Sequence, residues 1–173
     1  DDIIDAIRIA AEHRVPITAR AAGTSTCGQS IGEGILIDMS RMDKVLGIDE
    51  DKKVITVEPG LVHADLVRTA AKHGLFYAPN PSSGDVCQMG ANIANNSSGS
   101  NGLKYGTTVD YVEGIDVVIP YSGLEDRLIG VGRVFGEKIH HGWRSVEHLK
   151  HLLLILLRHP GPHGAGEEGA GAH

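Results

Sequence analysis

The 173-residue chain has few cysteines, few aromatic residues and no long apolar segment. Its two cysteines, Cys27 and Cys87, lie far apart and form no CxxC pair, which favours free thiols in a reducing compartment over a disulfide. The longest apolar run, Leu152 to Leu157, is far shorter than the ~20 residues that a membrane-spanning helix needs. The acidic N-terminus lacks the plan of a signal peptide. We therefore expect a soluble, cytoplasmic protein.

Positive charge is also scarce. The formal net charge is −6 at pH 7, whereas nucleic-acid binders carry a basic patch or stripe. Two nucleotide-binding motifs are missing as well, because the chain has no GxxxxGKS/T loop and no GxGxxG opens a helix after the first predicted strand. These absences argue against a nucleic-acid binder, a P-loop enzyme and a dinucleotide domain of the Rossmann kind.

What is present is a series of helix and strand patterns. Apolar residues at helical spacing predict a helix over 2–13, ended by Pro16, and a second over 62–73, capped by Gly74. His63 and His73 bracket this second helix and are expected at the surface. Strands are predicted at four places, residues 17–21, 34–40, 53–60 and 110–120.

Two stretches stand apart and are named here the first segment (residues 20–34) and the second segment (residues 88–106), both rich in glycine and hydroxyl or amide side chains. Glycine reaches positive φ without steric cost, and successive N–H groups in such a turn form a nest that binds anions. Two nests together could clamp a pyrophosphate from both sides. The simpler interpretation is that each segment is a surface loop.

Three longer stretches carry a family resemblance. "PITARAAGTSTCGQSIGEGILIDMSRMDKVLGID", "VITVEPGLVHADL" and "GLFYAPNPSSGDVCQMGANIANNSSGSNGLKYGTTVDYV" resemble the FAD-linked oxidases, whose fold is shared with vanillyl-alcohol oxidase and p-cresol methylhydroxylase. Within that family they are most similar to the branch of D-lactate, glycolate and D-2-hydroxyglutarate dehydrogenases. The resemblance covers residues 3–120, in order and at family spacing.

The resemblance implies an α+β fold, a two-lobed FAD-binding domain of the p-cresol methylhydroxylase type that is incomplete at both ends. Residues 1–47 would form the first lobe, without its opening strand, and 48–120 an incomplete second lobe. Residues 121–173 diverge from the family and are expected to be partly disordered. This tail reads either as a native C-terminus or as the product of a frameshift. Its histidines lack the framework of a metal site, so no metal is expected.

The cofactor implied is FAD, lying between the lobes. The diphosphate contacts would come from Arg20, Ala21, Ala22, Gly23, Thr24, Ser25 and Gly28, and, on the other side, from Gly90, Ala91, Asn92, Asn95, Ser97, Ser98 and Gly99. Pro59 and Gly60 would lie near the adenine, and Pro81, Ser82 and Ser83 along the flavin. Lys104, Tyr105 and Gly106 match the family's basic-Tyr-Gly turn. For Arg20, a phosphate contact and a structural ion pair are equally open. Thr24 stands where members with covalent FAD have a histidine, so non-covalent binding is expected.

The chemistry implied is oxidation of a small D-2-hydroxy acid (lactate, glycolate or 2-hydroxyglutarate) by hydride transfer to FAD. No catalytic residue is expected within this chain, since nothing in it matches the family's catalytic histidine or substrate-binding arginine. The sequence does not identify the electron acceptor; an iron–sulfur domain and a quinone are among the candidates that the resemblance leaves open. Two alternatives stay open: a reductase of the same fold resembling UDP-N-acetylenolpyruvoylglucosamine reductase, and a truncated remnant without catalytic activity.

Overall fold

The computed structural model describes residues 2–120 and 129–135. The elements follow one another as α1 (Asp2–Glu12), β1 (Ile17–Arg20), β2 (Ile35–Asp38), β3 (Val45–Asp49), β4 (Val54–Val57), α2 (His63–Lys72), α3 (Met89–Ala94), α4 (Gly102–Tyr105), a 3-10 turn (Thr108–Tyr111), β5 (Gly114–Pro120) and β6 (Ile129–Phe135). Both predicted helices and the four predicted strands are found. The fourth strand is shorter than expected, because residues 108–111 form the 3-10 turn. Strands β3 and β6 were not predicted.

Strands β1 and β2 pair in parallel, with Ile17 opposite Ile35 and Arg20 opposite Asp38. Parallel neighbours need a long crossover, which is usually a helix. Here the crossover is residues 21–34 of the first segment, which contain neither helix nor strand. Long connections without secondary structure are uncommon in compact domains and often functional. The first segment therefore leaves the carboxyl end of β1 as an extended loop.

The remaining strands form antiparallel pairs. Strands β3 and β4 pair with an irregularity between Val45 and Gly47, and β5 pairs with β6 along its full length. The predicted lobe boundary at 47/48 falls inside β3, and the division into lobes stays a prediction. Strand β6 lies within the predicted divergent tail, of which residues 121–128 and 136–173 fall outside the described residues.

The predicted cap of the second helix is confirmed. Gly74 has a φ of +67°, its N–H donates to Ala71 O, and the N–H of Leu75 donates to Ala70 O at 2.9 Å. These bonds form a Schellman motif. Helix α1 ends in the same way, but the left-handed position is filled by Arg14, with a φ of +54°.

The hydrophobic core lies between β3–β4, α2 and the segments that follow them. Its buried members are Ile55, Val57, Leu61, Leu66, Ala70, Tyr77, Ala78, Met89 and Tyr111. By contrast, no residue from 11 to 53 is fully buried. The first segment is thus attached to the parallel pair β1–β2, which has no fully buried residue, whereas the second segment packs on the hydrophobic core through Met89.

Candidate cofactor-binding site

The first segment presents a row of unused hydrogen-bond donors. Within the described part of the chain, none of the N–H groups of residues 21–26 donates to another protein group. The left-handed φ values of Gly23 (+72°) and Gly28 (+77°) allow the loop its tight course. Unpaired N–H groups in one turn form an anion-binding concavity. The geometry thus fits the diphosphate contact expected for residues 21–25.

Arg20, at the end of β1, lies directly against this row. A Cβ added at Gly23 would lie 3.0 Å from Arg20 Nη2, so the guanidinium packs on the glycine. Among the described residues, Arg20 forms no ion pair with a carboxylate. Its neighbour Asp38 has a lowered pKa, caused first by hydrogen bonds from Ser40 and only last by the charge of Arg20. The guanidinium is therefore available to an anion at the first segment.

The second segment is organised differently, because the fold already uses most of its N–H groups. Gly90 N–H donates to Pro59 O at 2.8 Å, Asn95 N–H to Ala91 O at 3.0 Å and Ser97 N–H to Asn92 O at 2.9 Å. The Asn92 side chain is buried, with its amide 3.7 Å from the Met89 sulfur. These groups are not free to hold a diphosphate as the first segment's are. The contacts expected from Gly90, Ala91, Asn92 and Asn95 stay predictions.

The two segments meet through a side-chain bridge that sequence reasoning missed. Gln29 Nε2 donates to Asn95 Oδ1 at 3.0 Å, and Ser25 Oγ contacts Gln29 Oε1. Asn95 also donates from Nδ2 to Ala91 O at 2.9 Å. No local pattern could have revealed a pair so distant in the chain. The bridge shows that the segments lie side by side, as the pyrophosphate hypothesis requires.

The turn at Glu58–Gly60 joins the first segment's sheet to the second segment. Gly60 N–H donates to Met42 O at 2.7 Å, and a Cβ at Gly60 would lie 2.1 Å from Met39 O. On its other side, a Cβ at Gly90 would lie 2.9 Å from Pro59 Cβ. Close backbone approach therefore explains both glycines. It leaves the expected adenine contact of Pro59 and Gly60 as a prediction.

The loop of residues 79–84 runs along the end of the second segment. Asn80 N–H donates to Ser98 O at 2.7 Å, and a Cβ at Gly99 would lie 1.7 Å from Asn80 O. Pro81, Ser82 and Ser83 follow, and Gly84 N–H donates back to Pro81 O at 2.9 Å. The structure thus brings residues 80–84 beside Ser97, Ser98 and Gly99.

Tyr105 and Gly106 are held by other neighbours. The Tyr105 ring meets Phe76 edge-on at 5.9 Å, Lys104 Nζ lies 5.0 Å from the centre of the Tyr105 ring, and Gly106 lies against Asp110. Within the described residues, no hydrogen bond joins this turn to the first segment. Its expected role in cofactor binding stays a prediction.

The expectation that His63 lies at the surface is wrong. Its side chain is only 3% exposed, and its Nε2 lies 2.8 Å from Pro79 O. A signal for this burial was present, because His63, Leu66 and Ala70 lie three and seven residues apart on the same helical face. His73 at the other end of α2 is exposed as expected and pairs with Glu50 at 2.6 Å.

Two other features are absent from the residues that the structure describes. No group of three or more histidine, cysteine or carboxylate side chains is placed to hold a metal ion. Among residues 2–120 and 129–135, no helix has the length and apolar content needed to cross a membrane.

Comparisons with known proteins identify the same cofactor. Residues 1–124 match the family described as FAD binding domain. Glycolate oxidase subunit GlcD of Bacillus subtilis (strain 168) is 43% identical over 121 residues, which cover 69% of this chain and 26% of that protein. D-Lactate dehydrogenase of Anaerostipes hadrus is 34% identical over 122 residues, which again cover 69% of this chain and 26% of that protein. D-2-Hydroxyglutarate dehydrogenase of Escherichia coli (strain K12) is 34% identical over 122 residues, which cover 68% of this chain and 12% of that protein.

A solved structure gives the fold. A crystal structure of alkyldihydroxyacetonephosphate synthase superposes with a TM-score of 0.60 at 26% identity, covering 71% of this chain and 24% of that protein. The predicted fold class and the predicted family resemblance are confirmed. The chain spans about a quarter of the length of the first two relatives and less of the third.

Proposed function

The chain belongs to the FAD binding domain family, and from this premise we propose that residues 21–26 hold the diphosphate of a non-covalently bound FAD. The row of unused N–H donors in the first segment carries this proposal. The diphosphate is doubly charged, and the Arg20 guanidinium lies against the row without a carboxylate partner among the described residues. Donor geometry and charge therefore fit the cofactor.

The remaining contacts are proposed from the same arrangement. The Gln29–Asn95 bridge sets the distance between the two segments, so the second segment closes the diphosphate site from the other side. The loop of residues 79–84, held beside Ser98, is proposed to line the flavin. Members with covalently attached FAD have a histidine at the position of Thr24. The threonine side chain cannot form that link, which supports non-covalent binding.

The reaction we propose is the oxidation of a small D-2-hydroxy acid. Bound FAD supplies the capacity to accept two electrons, and the protein binds and orients it. The support is the similarity to a glycolate oxidase subunit, a D-lactate dehydrogenase and a D-2-hydroxyglutarate dehydrogenase. The chain's own part in this reaction is to hold the cofactor.

A cofactor titration tests the binding proposal. The purified chain, titrated with FAD and followed by flavin fluorescence, is expected to form a saturable complex with the visible spectrum of bound flavin. Arg20→Gln should weaken the complex about tenfold, because a charge-assisted contact to phosphate is lost. Arg8→Gln is the matched control: among the residues that the structure describes, Arg8 pairs only with Asp5 on the surface of α1, so affinity should not change. Equal affinity of both variants and the parent chain would contradict the diphosphate site.

The substrate proposal has a separate test. The FAD-loaded chain, mixed without oxygen with D-lactate, glycolate or D-2-hydroxyglutarate, should lose its flavin colour with at least one of these acids, only slowly because no catalytic residue is expected within the chain, and should keep it with L-lactate. Retention of colour with every acid contradicts the reaction for this chain and favours the non-catalytic alternative. Loss of colour with NADPH, followed by recovery with an enolpyruvyl sugar nucleotide, favours the reductase.

A further inference from the structure

His63 is a buried histidine whose ring has a defined hydrogen-bonding role. Its Nε2 lies 2.8 Å from Pro79 O, and a carbonyl oxygen can only accept, so Nε2 carries the proton and donates. The ring packs against Tyr77, with ring centres 5.5 Å apart. A Cβ at Gly84 would lie 3.0 Å from Nδ1, so the other edge of the ring faces Gly84. The ring is thus enclosed by the start and the end of the loop of residues 79–84.

The first turn of α2 fastens this loop at both ends. Ala64 N–H donates to Gly84 O at 3.1 Å, and His63 N–H donates to Cys87 O at 2.9 Å, which fixes the end of the loop through the backbone. The start of the loop is fixed by the His63 ring. One residue further, Asn80 N–H donates to Ser98 O at 2.7 Å. Displacement of Pro79 would therefore be transmitted to the second segment.

We infer that His63 is a positioning residue for the cofactor, which holds the loop of residues 79–84 and, through Asn80 and Ser98, the second segment in the binding arrangement. The inference rests on the proposed function, since that function places this loop along the flavin. Without the His63 donor, Pro79 O is left buried and unsatisfied, and the loop is drawn out toward water when no cofactor is bound. Part of the free energy of cofactor binding is then used to bring the loop of residues 79–84 back into the binding arrangement.

A set of three variants separates positioning from general stability. His63→Leu removes the donor, whereas His63→Gln keeps an N–H close to the position of Nε2. His73→Leu is the matched control, since it makes the same substitution at the exposed end of the same helix. For each variant, FAD affinity, the visible spectrum of bound FAD, thermal unfolding without FAD and hydrogen exchange at the Asn80 amide are measured.

His63→Leu is expected to weaken FAD binding about tenfold, to shift the flavin spectrum and to accelerate exchange at Asn80. His63→Gln should restore most of each property, and His73→Leu should leave all of them unchanged. A folded His63→Leu chain with parental affinity and spectrum overturns the inference, as does a His63→Gln chain as impaired as His63→Leu. If the parent chain itself does not bind FAD, the proposed function fails, and exchange at Asn80 still shows whether His63 fixes the loop.

Discussion

The two glycine-rich segments resemble each other in composition but differ in structure. The first rests on the parallel pair β1–β2, where no residue from 11 to 53 is fully buried, and its N–H groups at 21–26 make no hydrogen bond to the described protein. The second packs on the core, with Met89 completely buried and the N–H groups of Gly90, Asn95 and Ser97 bonded to carbonyls. The first segment thus has N–H groups available to a ligand, whereas the second uses most of its own within the fold.

This difference shows that glycine serves two physical purposes in the two segments. In the first segment no atom of the described residues lies close to the Cβ position of Gly28, so this glycine is explained by its left-handed backbone. In the second segment Gly99 and Gly90 are needed because backbone or side-chain atoms occupy the Cβ position. Binding loops tend to come from regions of low local stability, and the first segment fits that rule.

The largest effect is expected when this contrast is tested directly with two alanine substitutions. Gly99→Ala places a Cβ 1.7 Å from Asn80 O at a φ of +88° and should lower the free energy of unfolding by about 4 kcal/mol. Gly28 has a similar φ, +77°, but none of the described residues has an atom within 4 Å of the added Cβ, so Gly28→Ala is expected to cost only the backbone strain of about 1 kcal/mol. Urea unfolding followed by circular dichroism measures both. Similar losses would mean that the two segments are packed alike.

A smaller effect concerns the core that carries the second segment. Burial raises the pKa of Tyr77 to about 12, above its ordinary value of 10, and its hydroxyl donates to Thr108 Oγ1 at 3.3 Å. Because the folded-state pKa is the higher one, the unfolded chain loses the Tyr77 proton first as the pH rises. The free energy of unfolding is therefore unaffected by this group below pH 10 and falls between pH 10 and about 12. The loss should reach about 2 to 3 kcal/mol.

The check is the pH dependence of unfolding free energy in the parent chain and in Tyr77→Phe. The variant loses a hydrogen bond and should be less stable by about 1 kcal/mol at neutral pH. It should also show a shallower decline above pH 10. A decline as steep as that of the parent chain would place the alkaline sensitivity elsewhere.

Sequence reasoning found the elements governed by local chemistry. The apolar spacing of α1 and α2 and the left-handed glycine at 74 are short-range signals, and both helices and the cap are in the structure. Strand β3 escaped prediction because Gly47 and the irregular register beside Val45 break its alternation. It is defined by pairing with β4 rather than by its own pattern.

The two segments of the candidate site could be recognised from their residue types, but the sequence did not show which of their N–H groups the fold already uses, and their cofactor contacts stay predictions. Family spacing identified both segments and the turn between them, yet it assigned main-chain N–H groups of both to the diphosphate. Which groups are free depends on tertiary hydrogen bonds such as Gly90 N–H to Pro59 O. The same holds for the Gln29–Asn95 bridge and for the His63 ring on Pro79, since each joins parts of the chain that carry no shared local signal.

The most direct measurement of the central claim is residue-resolved amide hydrogen exchange with and without FAD. The N–H groups of residues 21–26 should exchange rapidly in the free chain and slowly in the complex, because they acquire phosphate acceptors. Those of Gly90, Asn95 and Ser97 should be protected in both states, since the fold already satisfies them. If FAD binds while residues 21–26 continue to exchange at the rate of the free chain, the first segment is not the diphosphate site.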